Sequence, residues 1–184
     1  MAIALNGSTG VITGVSVGGL PNGIVDTDTL ATDSVTAAKI LSLPAGSILQ
    51  VVSMRTSTQT TLSTSSWVDT AITLNITPSS SSSKVLILAN ANGLIKRDQN
   101  TKGGLRLVRG SSTGLSSMDE NWAYNNATQH NSVGGVGFTY LDSPSTTSAT
   151  TYKVQAKNTN ATGSVRVNWD GAASSSITLI EVAA

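Results

Sequence analysis

From Ser47 onward, stretches of 7 to 10 residues rich in β-branched and aliphatic side chains recur, divided by clusters of turn-forming residues. They are "SILQVVSM" (47–54), "WVDTAITLNI" (67–76), "KVLILANA" (84–91), "GLRLVRG" (104–110), "VGGVGFTYL" (133–141), "TTYKVQAK" (150–157), "GSVRVNW" (163–169) and "SSITLIEVA" (175–183). Several alternate with the strand period of two: Leu105 and Leu107 against Arg106 and Val108, Val165 and Val167 against Arg166 and Asn168, Ile177 and Leu179 against Thr178 and Ile180. The separators "TPSSSSS", "LDSPSTTSA" and "NTNATG" carry Pro, Gly, Asn and Ser, residues that favour turns. About eight strands at this spacing predict an antiparallel β-sandwich or barrel of two sheets over residues 47–184.

One segment interrupts the rhythm. Residues 111–132, "SSTGLSSMDENWAYNNATQHNS", read as a long loop, with a short strand around Trp122 as the alternative. Trp122 and Tyr124 form an aromatic pair among Asn, Ser and Gly, and His130 follows; the expected role is surface recognition by stacking and polar contacts. The alternative is that Trp122 plugs the core or a subunit interface.

The first 46 residues have a different texture. They contain no aromatic residue, and their only charges are Asp26, Asp28, Asp33 and Lys39. The larger apolar residues of "GIVDTDTLATDSVTAAKI", Ile24, Leu30, Val35 and Ile40, are spaced by six, five and five, matching neither strand nor helix. Such a segment has too little bulk to build a core from one chain. Copies running side by side can share one: the four residues are expected to stack as layers about a common axis, forming an N-terminal stem over residues 1–46. Asp26, Asp28 and Asp33 would face outward or cap turns, and "DSVTAAKI" fits one or two helical turns capped by Asp33 or Ser34. A flexible tether is the other reading.

Composition narrows the function. Charged residues are 11% of the 184, against roughly 25% in an average soluble protein. Polarity comes instead from 27 Ser and 25 Thr, which suits sheets and turns rather than long helices. A net charge of +1 with scattered cations argues against a nucleic-acid partner. No apolar run approaches the roughly 20 residues of a membrane helix, so no membrane insertion is expected. "MAIALNGSTG" lacks the basic and apolar regions of a signal peptide.

Candidate chemistry is sparse. His130 is the sole histidine, there is no Cys, and no G-x-S-x-G elbow occurs. Asp119 and Glu120 are adjacent, a poor spacing for the paired acids of a glycosidase, although Asp98, Asp142 or Asp170 offers a second acid. The expectation is a protein that is not an enzyme, with no catalytic residues, no metal site and no cofactor.

The phrase "LNGSTGVITGVSVGGLPNGIVDTDTLATDSVTAAKI" resembles the N-terminal region of tail-fibre-like structural proteins of tailed bacteriophages, particularly those of marine and cyanobacterial hosts. "GSILQVVS", "LRLVRGS" and "FTYLDSPSTTSATTYKVQ" are similar to phrases of their β-rich C-terminal domain. The closing "SSITLIEVAA" fits the late buried strand of trimeric jelly rolls of the complement-globular and tumour-necrosis-factor type. The resemblance implies a homotrimeric virion protein, assembled in the bacterial cytoplasm, all-β with a jelly-roll-like C-terminal domain. Its partners would be its own copies, other tail or capsid proteins through the N-terminal segment, and a glycan or protein of the host surface. A capsid decoration protein is the alternative, and a polysaccharide-degrading enzyme a more distant third.

Overall fold

The computed structural model describes residues 4–6, 11–13, 43–122 and 131–184. The expected stem residues Ile24, Leu30, Val35 and Ile40, and the helical turns over 33–40, lie outside the described residues, as do Tyr124 and His130. The chain divides into two units, Met1–Leu43 and Pro44–Ala184. In the first, strands β1 (Ala4–Asn6) and β2 (Val11–Thr13) pair antiparallel, Leu5 opposite Ile12.

The second unit is built from antiparallel strands, with no α-helix among the described residues. Its strands are β3 (Ile48–Thr56), β4 (Thr60–Leu62), β5 (Val68–Ile76), β6 (Lys84–Lys96), β7 (Gly103–Arg109), β8 (Thr113–Trp122), β9 (Asn131–Asp142), β10 (Thr150–Asn158), β11 (Val165–Val167) and β12 (Ser175–Val182). One sheet runs β5-β10-β7-β8. The other is centred on the long β6, which pairs with β9 along one edge and with β12 along the first part of the other; β3 lies outside β12. Beyond β12, β11 takes over that edge of β6 and carries β4.

The period-two pattern explains which side chains face inward. Ile177 and Leu179 of β12, Val85 and Ile87 of β6, Leu105 and Leu107 of β7, and Tyr152 and Val154 of β10 are fully buried in one core with Ile72, Val165 and Val167. Each such aliphatic contributes about 2 kcal/mol by leaving water. The alternation is imperfect: Val108 and Asn168 are buried although the sequence pattern places them opposite the core residues.

Two buried polar groups pin the sandwich near the end at which the chain enters β3. Asp142, at the end of β9, accepts from the Tyr152 hydroxyl (2.7 Å) and from Arg109 Nη1 (2.7 and 2.9 Å), so one carboxylate ties the two sheets together. Burial, then the bond to Asp142, pushes the Tyr152 hydroxyl far above its usual range, so it stays a donor. Glu181 of β12 is fully buried and accepts from Gln50 Nε2 (2.6 Å) and from Ser79 N and Oγ (2.7 Å each). Burial acts to raise its pKa, but the bonds from Gln50 and Ser79 outweigh it and hold the carboxyl at about 2.

The predicted strands are present with shifted ends; β6 and β9 are longer than expected, and "GSVRVNW" contributes only Val165–Val167. The main correction concerns 111–132. Ten of those residues form β8, which pairs with β7 through three register irregularities. Those slips explain why neither a clean alternation nor a compact apolar run marks this strand.

Candidate functional site

What distinguishes this molecule is the outward side of its sheets. On β3-β12-β6-β9 the hydrogen-bonded register aligns side chains in rows across four strands. Val51, Ile180, Leu86 and Leu141 form one row; Ser53, Thr178, Leu88 and Thr139 form the next; Arg55, Ser176, Asn90 and Gly137 follow. On the other side of the aliphatic row, Ile48 pairs with Val182, and Val182 with Lys84. Ile48 is 62% exposed, Val51 55%, Leu141 51% and Leu88 40%. The face therefore grades from aliphatic, where the chain enters, to hydroxyl and amide at the far end. Lys84 and Arg55 are the only charged side chains in these rows.

An antiparallel sheet with one solvated face alternates apolar with polar. Here Val85-Leu86-Ile87-Leu88 is apolar at four consecutive positions, because inward and outward positions are both aliphatic. A contiguous exposed patch of this kind is a candidate interaction surface.

The outward face of β5-β10-β7-β8 is built differently. The Asp69 carboxylate accepts from Lys153 Nζ (2.7 Å) and Gln155 Nε2 (2.6 Å), and Gln155 Oε1 accepts from Arg106 Nε (2.8 Å) and Nη2 (2.6 Å). Burial pushes the Asp69 pKa up, but the Lys153 and Gln155 bonds prevail and leave it lowered. Trp67 lies beside this chain of bonds, with the Arg106 guanidinium 4.6 Å and the Lys157 ammonium 4.4 Å from its ring centre. Gly104 makes room for it: a Cβ there would meet Lys157 Cε at 2.9 Å and Trp67 Cη2 at 3.3 Å. This face is internally satisfied.

Of the expected recognition residues, only Trp122 falls among those described, and it is 3% exposed. Its indole packs in the core over Gly103, whose absent Cβ would lie 2.0 Å from Trp122 Cε2. A buried ring offers no stacking platform, so recognition through Trp122 is corrected to a core role, the alternative already raised by its sequence. Asp119 and Glu120 lie within β8, not in a loop. Among the described residues no three His, Cys, Asp or Glu side chains gather as a metal-binding set.

No protein-family model matches this chain, and no curated protein matches it.

Proposed function

We propose that the protein is a non-enzymatic, homotrimeric fibre- or spike-like component of a bacteriophage virion that acts in attachment to the host surface. The observation that carries this reading is the aliphatic row Val51–Ile180–Leu86–Leu141 on an otherwise nearly uncharged sheet face. Identical copies are its natural occupants, because an aliphatic face without charge needs no complementary partner, only another such face.

Strand order supports a jelly roll. The order β3-β12-β6-β9 opposite β5-β10-β7-β8 is that of an eight-stranded sandwich whose last strand, β12, lies buried between the first strand and a central one. The tail-fibre-like phrases at both ends of the chain support the virion role. The N-terminal segment would join the protein to its particle, and three copies would sum weak contacts with the host.

The test is the native mass of the full chain at micromolar concentration, followed by copy number in purified particles. Three chains and a few dozen copies or fewer are expected, with antibodies to the protein blocking adsorption. Hundreds of copies would instead make it a capsid decoration protein. A lone subunit at that concentration would overturn the trimer.

A further inference from the structure

At the end of the β6 sheet furthest from the chain's entrance lies a hollow of about 640 Å³, lined by Asn92, Gly135, Trp169, Asp170 and Ser174 among others. Asn92 stands eight residues along β6 from Lys84, about 25 Å at the rise of a strand. The aliphatic row and the hollow thus occupy opposite ends of one sheet.

The hollow is rigidly built. Its wall is the turn following β11, in which Asn168 (φ 55°) and Asp170 (φ 64°) both adopt the left-handed conformation. Each costs on the order of 1 kcal/mol for a residue with a Cβ. Asn168, almost fully buried, holds the strain: its Nδ2 donates to Thr58 O (3.1 Å), its Oδ1 accepts from Ser175 Oγ (2.5 Å), and its N donates to Asn92 O (2.9 Å). Ser175 Oγ in turn accepts from Asn92 N (2.9 Å), and Asp170 N donates to Gln59 Oε1 (3.2 Å). The turn sits directly on Gly93, where a Cβ would lie 2.5 Å from Ala173 Cβ and 2.8 Å from Trp169 N. Across the hollow, Asn92 lies over Gly135, whose Cβ would fall 2.0 Å from Asn92 Oδ1. Its Nδ2 is held by Ser174 O (2.8 Å).

This scaffold presents a partly exposed indole, that of Trp169, beside an exposed carboxylate, that of Asp170, which meets no donor among the described residues. We infer that the hollow is a binding site for a neutral saccharide. A pyranose has one face of C–H bonds and a rim of hydroxyls. The C–H face suits the indole, and adjacent hydroxyls suit a carboxylate that has acceptors to spare. Among the described residues no Lys or Arg lines the hollow, so an acidic sugar would meet Asp170 without compensation. A quaternary ammonium would want several aromatic faces, and among the described residues Trp169 is the one aromatic in the lining. The inference rests on the attachment reading for its biological use, since the hollow lies at the end of the sheet away from the start of β3.

The test uses the purified full chain and methyl pyranosides of glucose, galactose, mannose and N-acetylglucosamine, with glucuronate and tetramethylammonium as charged probes. Binding is followed by tryptophan fluorescence and calorimetry. At least one neutral sugar should saturate with a dissociation constant of about 1 to 10 mM, as single-sugar contacts give. Trp169→Ala and Asp170→Asn should each weaken it at least about tenfold while leaving native mass unchanged. Saturation by none of the neutral sugars, equal binding by both variants, or preference for a charged probe would each overturn the site. Sugar binding without any effect of the variants on phage adsorption would keep the site and remove the attachment role. Adsorption blocked by antibodies but without sugar binding would do the reverse.

Discussion

The outward faces of the two sheets are finished in opposite ways. On β5-β10-β7-β8, the long outward side chains satisfy one another: Lys153 and Gln155 hold Asp69, Gln155 holds Arg106, and Arg106 and Lys157 flank Trp67. On β3-β12-β6-β9, the rows nearest the chain's entrance are aliphatic and more than half exposed at Ile48, Val51 and Leu141. Both sheets fill the same interior by the same alternation. The proposed assembly accounts for the difference outside: the satisfied face suits water, and the aliphatic face suits a covering copy.

The largest expected effect comes from charging the aliphatic row. Val51→Lys with Leu141→Lys removes two side chains that association would bury. It should weaken assembly by about 4 kcal/mol or more, on the order of a thousandfold in the dissociation constant. Thr73→Lys, exposed on β5, serves as the matched change on the other sheet and should leave native mass unaltered. Native mass across a dilution series reads both. Equal responses would mean that the two faces do not differ in what covers them.

Acid comes next. Glu181 lies beneath the aliphatic-faced sheet with its carboxyl at about 2, against an ordinary 4.5. A depressed carboxyl stabilises fully above the ordinary value and loses that contribution as pH falls through the depressed one. Stability should decline by about 3 kcal/mol between pH 4.5 and 2. Glu181→Gln should flatten that slope, while costing stability at neutral pH because an amide nitrogen would face the donors of Gln50 and Ser79. Urea titrations at several pH values measure both effects. Asp69→Asn, on the other face, should leave the slope nearly intact because that carboxylate is exposed.

A change at Gly103 should cost somewhat less, about 2 kcal/mol. Its Cβ in Gly103→Ala would displace the Trp122 indole, and β8 would loosen from β7. Near-ultraviolet circular dichroism should report the moved indole. An unchanged spectrum would mean that the indole does not pack against Gly103.

Much of this architecture was legible in the sequence because turn clusters and period-two runs are local signals. β10 and β12 follow their patterns almost residue for residue. β8 was not legible, since its register slips three times against β7 and its residues are mostly those of loops. β4, three residues long, is too short for any period to show. The aliphatic face did leave a trace: in "KVLIL" four apolar residues follow one another where a half-solvated strand would alternate. The hollow left a fainter one in "NWDG", where Asn and Asp tolerate the left-handed turn and Gly ends it. No periodicity connects that turn to Asn92 and Gly135, because the hydrogen bonds that join them span long stretches of chain.

The smallest effect is expected on the charged face, and its smallness is informative. Lys153→Ala removes one of two donors to Asp69, a carboxylate whose side chain is 54% exposed and keeps Gln155. The loss should be about 0.5 kcal/mol and should shrink as salt rises. The Asp69 carboxyl should also titrate closer to its ordinary range, because a bond that favours its ionised form is gone. Urea unfolding at two salt concentrations measures the first, and carboxyl chemical shifts followed with pH measure the second. A loss as large as that of the Val51 and Leu141 pair, accompanied by a fall in native mass, would mean that β5-β10-β7-β8 is also covered in the assembled protein. Assembly would then have to engage both sheets, and the satisfied face would belong to a second interface instead of to solvent.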